Sequence, residues 1–158
     1  MSAAADVGVF VRNLAGRKGV PLTRSFAQWI GAIPDLRRRR RLPPEINILI
    51  VGTREGRRFN REFRGRDYAT NVLSFAYEPL PHERTGLLGD LVICAPVVAR
   101  EAREQAKPLR DHYAHMSVHG ALHLLGYDHE VDAEAERMEA IERRVLGSLD
   151  MADPYEMR

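Results

Sequence analysis

The sequence has one cysteine, two lysines and no apolar run approaching the roughly 20 residues that a transmembrane helix requires. Cys94 alone cannot close an internal disulfide, and its place in the apolar stretch 89–98 marks it as a small buried hydrophobe. The opening Met-Ser-Ala-Ala-Ala-Asp-Val lacks the basic segment and apolar core of a secretory signal, so a cytoplasmic protein without membrane association is expected. Aromatic residues are few, at 7%, but 44% hydrophobic and 29% charged residues fit a soluble globular fold and exclude a disordered tail. There is no internal repeat, low-complexity tract or dividing linker, so residues 1–158 are expected to form a single domain.

Scarce lysine leaves the positive charge to arginine, and that charge is unevenly placed. Residues 1–66 carry 15 Lys or Arg against 5 Asp or Glu, whereas the remainder carry 9 against 17. A basic first half offers a surface to a polyanion, and the planar guanidinium fork suits phosphate, although arginine preference also follows from the base composition of a gene. The densest run, Arg37 to Arg41, precedes Pro43-Pro44 and reads as a solvated connection rather than a recognition site. The asymmetry as a whole is what favours nucleic acid.

Periodicity and breakers outline the elements. Strands are expected at 7–11, 46–51, 71–77 and 87–94, where β-compatible runs are bounded by turn residues. Helices are expected at 22–33, with Thr23 or Ser25 as cap and Pro34 as stop, and at 54–64, ended by Gly65. Three more follow at 95–107, 109–125 and 130–149, with Pro96 in a first turn and Pro108 just past an end. This order predicts an α+β fold, a small mixed four-stranded sheet packed with about five helices.

The strongest signal is His119-Gly120-Ala121-Leu122-His123-Leu124-Leu125-Gly126-Tyr127-Asp128-His129. On a helix, His119 and His123 stand one turn apart on one face, within reach of a single ion. Gly126 lets the chain leave the helix and return His129 to the same point. Three imidazoles without a fourth side chain leave a position for water or substrate, as in catalytic zinc sites. One Zn2+ held by His119, His123 and His129 is therefore expected. His112 and His115 continue the stripe, but no loop ligand can join them, and they read as satisfied core residues or as part of the cleft wall. In zinc proteases of this spacing a Glu follows the first histidine as general base. Here Gly120 occupies that place, which lowers proteolysis to an alternative.

The histidine segment resembles the signature of the YbeY family of bacterial endoribonucleases, also called the rRNA maturation factor family. Phe63-Arg64-Gly65-Arg66-Asp67 followed by Thr70-Asn71-Val72-Leu73-Ser74-Phe75 is similar to its second motif, and Leu88-Gly89-Asp90-Leu91-Val92-Ile93-Cys94 to its third. Gln105-x-Lys107-Pro108-Leu109 and Asp153-Pro154-Tyr155 also match, while the first 45 or so residues carry little. Ala69 and Ala76 stand where the family usually has proline, a difference in backbone stiffness rather than chemistry.

The resemblance implies a zincin-like metal helix, zinc on the same three histidines, and Arg64 as the arginine essential to function. Arg64 ends a helix in the basic half, where a guanidinium near the metal can bind the scissile phosphate. The expected activity is metal-dependent, single-strand-specific endoribonuclease cleavage in ribosomal RNA maturation, at the 3′ end of small-subunit rRNA, and in ribosome quality control. Implied partners are single-stranded RNA, ribosomal RNA, the ribosome, a small-subunit ribosomal protein and a ribosome-associated GTPase. The residues leave open whether water or the adjacent 2′-hydroxyl attacks, name no general base, and assign no role to Asp90 or Asp128. The alternatives are a metallopeptidase with a non-standard base and a non-catalytic RNA-binding assembly factor with structural zinc.

Overall fold

The computed structural model describes residues 6–38, 41–128 and 130–156. The chain forms β1 (Gly8–Asn13), α1 (Thr23–Gly31), β2 (Glu45–Val51), α2 (Thr53–Arg64), β3 (Val72–Ala76), β4 (Leu87–Cys94), α3 (Ala95–Glu104), α4 (Leu109–Leu124) and α5 (Asp132–Ser148). The expected fold class is observed: a four-stranded mixed sheet and five helices. The strand order is β1-β2-β4-β3, with β1, β2 and β4 mutually parallel and β3 antiparallel at the edge.

Side chains alternate across the sheet because successive residues of a strand point to opposite faces. Ile46, Ile48 and Ile50 of β2 and Leu91 and Ile93 of β4 turn to one face, where they join Phe26, Trp29 and Ile30 of α1 and Val118, Ala121 and Leu122 of α4. Val92 and Cys94 turn to the other face and pack with Val51, Leu73 and Val97, with Phe59 of α2 lying half-buried against them. Cys94 is buried, as its apolar surroundings suggest.

Helix α4 runs through the middle of the larger cluster, with eleven of its sixteen residues buried. Each large apolar side chain so buried contributes about 1.5–3 kcal/mol, which ties the position of this helix to the whole core. At Gly120 it lies directly on β4: a Cβ built there would stand 2.9 Å from Leu91 Cδ2 and 3.3 Å from Ser74 Oγ. Ser74 Oγ also donates to the Gly120 carbonyl at 3.1 Å. The residue that removed the protease base is thus also a packing requirement.

Several boundaries differ from expectation. Neither Thr23 nor Ser25 caps α1; Leu22 holds that position with no side-chain hydrogen bond. Pro34 does more than stop α1, opening a 3-10 turn, Pro34–Arg37, anchored by buried Leu36. Helix α3 ends at Glu104 rather than Lys107, because the chain turns through left-handed Ala106 (φ 52°). The expected stop at Gly65 is observed, with φ 68° in the left-handed region that glycine enters without strain. Arg39, Arg40 and His129 lie outside the described residues. None of the described helices is long and apolar enough to cross a membrane.

Candidate metal centre

The spacing of His119 and His123 on α4 brings their Nε2 atoms to 3.2 Å. Two nitrogens bound to one tetrahedral zinc at about 2.05 Å would stand about 3.3 Å apart, so the pair fits one such ion. What aims them is the hydrogen bonding of the opposite ring edges. His119 Nδ1 lies 2.6 Å from Glu142 Oε1, and His123 Nδ1 lies 3.0 Å from the Tyr127 carbonyl. Both partners accept, so each Nδ1 carries the proton and each Nε2 presents its lone pair, the tautomer a metal needs.

The Tyr127 carbonyl reaches His123 through the way α4 ends. Gly126 N donates to His123 O and Tyr127 N to Leu122 O, the paired bonds of a Schellman cap, with Gly126 at φ 99°. The cap turns the next peptide back over the last turn. Tyr127 Oη then donates to Asp35 Oδ2 at 2.9 Å, tying this turn to the 3-10 segment.

Glu142 was not singled out in the sequence, yet it organises the rear of the site. Its residue is fully buried, and its carboxylate meets His119 Nδ1, His115 Nε2 at 3.0 Å and the Tyr155 hydroxyl. Burial pushes its pKa up, but the hydrogen bonds from His115 and His119 outweigh that and hold it at about 2. Tyr155 is shifted upward by burial and by the Glu142 charge. A signal was present: Glu142 follows Met138 by four and precedes Val145 by three, so it falls on the apolar stripe of α5.

The other histidines of the stripe are core residues. His112 Nε2 lies 2.9 Å from Glu101 Oε1, and Asn71 Nδ2 donates to the same carboxylate. Burial lowers the pKa of His115, opposed by Glu142. Ligand atoms of His115, His119 and Glu142 all lie within 4.8 Å of one another, so this buried group has the chemistry to bind a metal. The 2.6 Å separation of His119 Nδ1 and Glu142 Oε1 is, however, that of a hydrogen bond and well short of the roughly 3.3 Å tetrahedral edge.

His123 lines a polar cleft of about 620 Å³ together with Arg64, Asn60, Arg66, Tyr68 and Asp128. Helix α2 therefore delivers Arg64 to the cleft that holds one of the two converging imidazoles. Arg64 forms no ion pair with the neighbouring Glu62 or Asp67. Asp67 takes both oxygens to Arg57 at 2.8 Å, and Arg64 has no ion pair among the described residues. Asp128 accepts from Glu130 N at 3.1 Å, a turn contact. Asp90 stands on the opposite sheet face, where its Oδ1 accepts from Asn47. His129 was expected as third ligand and lies outside the described residues.

These features agree with what the chain is similar to. Residues 18–150 match the family model described as Endoribonuclease YbeY. A protein of that name from Alkalilimnicola ehrlichii is 53% identical over 146 residues, 91% of this chain and 87% of its own length. Its namesake from Halorhodospira halophila is 62% identical over 117 residues, 72% of this chain and 76% of its own. The solution structure of TM1509 from Thermotoga maritima aligns with a TM-score of 0.54 at 25% identity, covering 94% of this chain and all of that one. With the motifs in order and the match running through most of its length, the chain belongs to the YbeY endoribonuclease family.

Proposed function

We propose that this chain is a single-domain, zinc-dependent endoribonuclease that cuts single-stranded RNA, with zinc held by His119, His123 and His129 and with Arg64 on the scissile phosphate. The observation that carries this reading is the pair of Nε2 atoms 3.2 Å apart, one of them on a histidine that shares a cleft with Arg64. Family membership supports RNA as the substrate, and the basic first half supports a polyanion. The biological setting is ribosomal RNA maturation, including the 3′ end of small-subunit rRNA, and ribosome quality control in the cytoplasm. The ribosome, a small-subunit ribosomal protein and a ribosome-associated GTPase are the proposed partners.

When bound, zinc supplies Lewis acidity to a phosphate oxygen and acidifies water at the site to a pKa of about 7. The chain's own groups do the rest. Glu142 and the Tyr127 carbonyl hold the protons of His119 and His123 on Nδ1, which keeps both Nε2 atoms directed at one point. Arg64 grips the phosphodiester with a forked donor and offsets the charge that grows on its oxygens during in-line displacement. Gly120 brings no carboxylate, so the base of a zinc protease is absent from its usual place.

The test incubates purified protein with labelled single-stranded RNA and with a mixed peptide library, with and without chelator, beside His123→Ala and Arg64→Ala variants. RNA cleavage lost with chelator and in both variants is expected. Cleavage that persists in chelated and His123→Ala samples would sink the metal reading. Metal-dependent peptide cleavage without RNA cleavage would instead select a peptidase, and tight, salt-sensitive RNA binding without cleavage an assembly factor.

A further inference from the structure

The wall of the cleft beyond Arg64 carries an aromatic ring that the core does not use. Tyr68 is 52% exposed and belongs to neither apolar cluster. Its hydroxyl accepts from Arg66 Nη1 at 3.2 Å. Among the described residues no other ring stacks on it and no guanidinium lies over it. About half of the residue's surface is thus open to solvent.

The segment that carries the ring is nevertheless held rigidly. Asn60 of α2, 1% exposed, donates its side-chain amide to the Tyr68 carbonyl at 2.7 Å, and Arg66 N donates to the Asn60 carbonyl at 3.3 Å. Between them Asp67 receives both donors of the Arg57 fork. Three ties thus fix the four-residue segment 65–68 after α2. Arg64 and Arg66, neither with a carboxylate partner among the described residues, line the same cleft as the ring and His123.

An exposed aromatic on a braced turn, in one cleft with two arginines, has the makeup of a nucleotide subsite: bases of any identity stack on aromatic faces, and guanidinium groups take the adjoining phosphates. We infer that Tyr68 is a stacking platform for one unpaired nucleobase of the RNA, with Arg64 and Arg66 on the adjoining phosphates. This rests on the ribonuclease reading above and adds a physical source for strand preference. In a duplex both faces of each base are covered by its neighbours, so only a splayed, single-stranded base reaches the ring.

The test measures binding of 5′-labelled 2′-O-methyl RNA, which resists cleavage through the 2′-oxygen, by fluorescence anisotropy at one fixed salt concentration. The oligonucleotides form a series in which each position in turn is abasic. Tyr68→Ala is expected to weaken binding of the intact strand about 5- to 150-fold, the usual worth of one stacked base. Tyr68→Phe, which keeps the ring and loses the Arg66 bond, should stay within about threefold. One abasic position should weaken wild type and leave Tyr68→Ala unaffected, while duplex binding is equal in the two proteins. Wild-type affinity in Tyr68→Ala, or abasic penalties identical in both proteins, would overturn the platform. If Arg64→Ala still weakens binding in that case, only the platform fails; if Arg64→Ala also binds as wild type does, the RNA reading of the cleft fails with it.

Discussion

Replacing Glu142 by glutamine probes the rear of the metal centre without changing its volume. Three donors, from His119, His115 and Tyr155, converge on a carboxylate that only accepts. An amide offers one accepting oxygen, and its NH2 now faces groups that donate. His115 can adjust by moving its proton to Nδ1, which has no hydrogen-bond partner among the described residues. His119 cannot do so and still present Nε2 to the metal. At least one bond is lost and the others fall from charge-assisted to neutral strength, about 1.5–3 against 0.5–1.5 kcal/mol each. Relief from burying a charge offsets part of this, leaving a stability loss of about 2–4 kcal/mol in the metal-free protein. Zinc affinity should fall about 10- to 100-fold, the usual effect of removing such a supporting partner. Urea unfolding of metal-free protein reads the first quantity, and competition with a chromophoric chelator reads the second. Zinc affinity within about twofold of wild type would refute the tautomer argument. Zinc binding lost in Glu142→Gln but intact in His123→Ala would relocate the ion to His115, His119 and Glu142.

Gly120→Glu restores the carboxylate of a zinc protease in sequence, yet it should destabilise the fold by about 1–3 kcal/mol without creating peptidase activity, because its Cβ meets Leu91 at 2.9 Å; thermal unfolding and a peptide assay check both halves. Gly126→Ala forces a side chain onto a φ of 99° and should cost about 1–2 kcal/mol while also lowering zinc affinity, since the same turn sets the Tyr127 carbonyl on His123. Unfolding and chelator competition on that variant should move together. Glu101→Gln tests the pair of a buried histidine with a half-buried carboxylate: burial raises the Glu101 pKa, but His112 and Asn71 lower it more, so the carboxylate stabilises the fold above its ordinary pKa and the benefit fades as pH falls through the acid range. The variant should be about 1–3 kcal/mol less stable than wild type at pH 7, and the gap should close at low pH in paired denaturation curves.

Much of the site is local and could therefore be read from the chain alone. The four-residue step between His119 and His123 places both rings on one helical face whatever surrounds the helix, and a glycine at 126 ends that helix by its own backbone freedom. The same holds for the stop at Gly65, the proline positions and the alternation of β2 and β4, which depend on neighbours a few residues away. The cap of α1 and the end of α3 differ from expectation because Leu22 takes the N-cap position without a side-chain hydrogen bond and Ala106 enters the left-handed region, choices that local propensity disfavours.

The remaining features join residues far apart in the chain. Strand order β1-β2-β4-β3 depends on which faces can be covered together, and no local pattern states it. Glu142 meets His119 across 23 residues, a buried carboxylate whose cost is acceptable only because three donors are already there. Arg64 shares a cleft with His123 because α2, through Phe63 on Phe75, and α4 both pack on the edge strand β3, and Tyr68 lines that cleft on a turn that Asn60 ties down. Local spacing decides which rings can face one ion; packing sets their tautomers and the cleft into which His123 opens, because those depend on groups that only the folded chain brings within hydrogen-bonding distance.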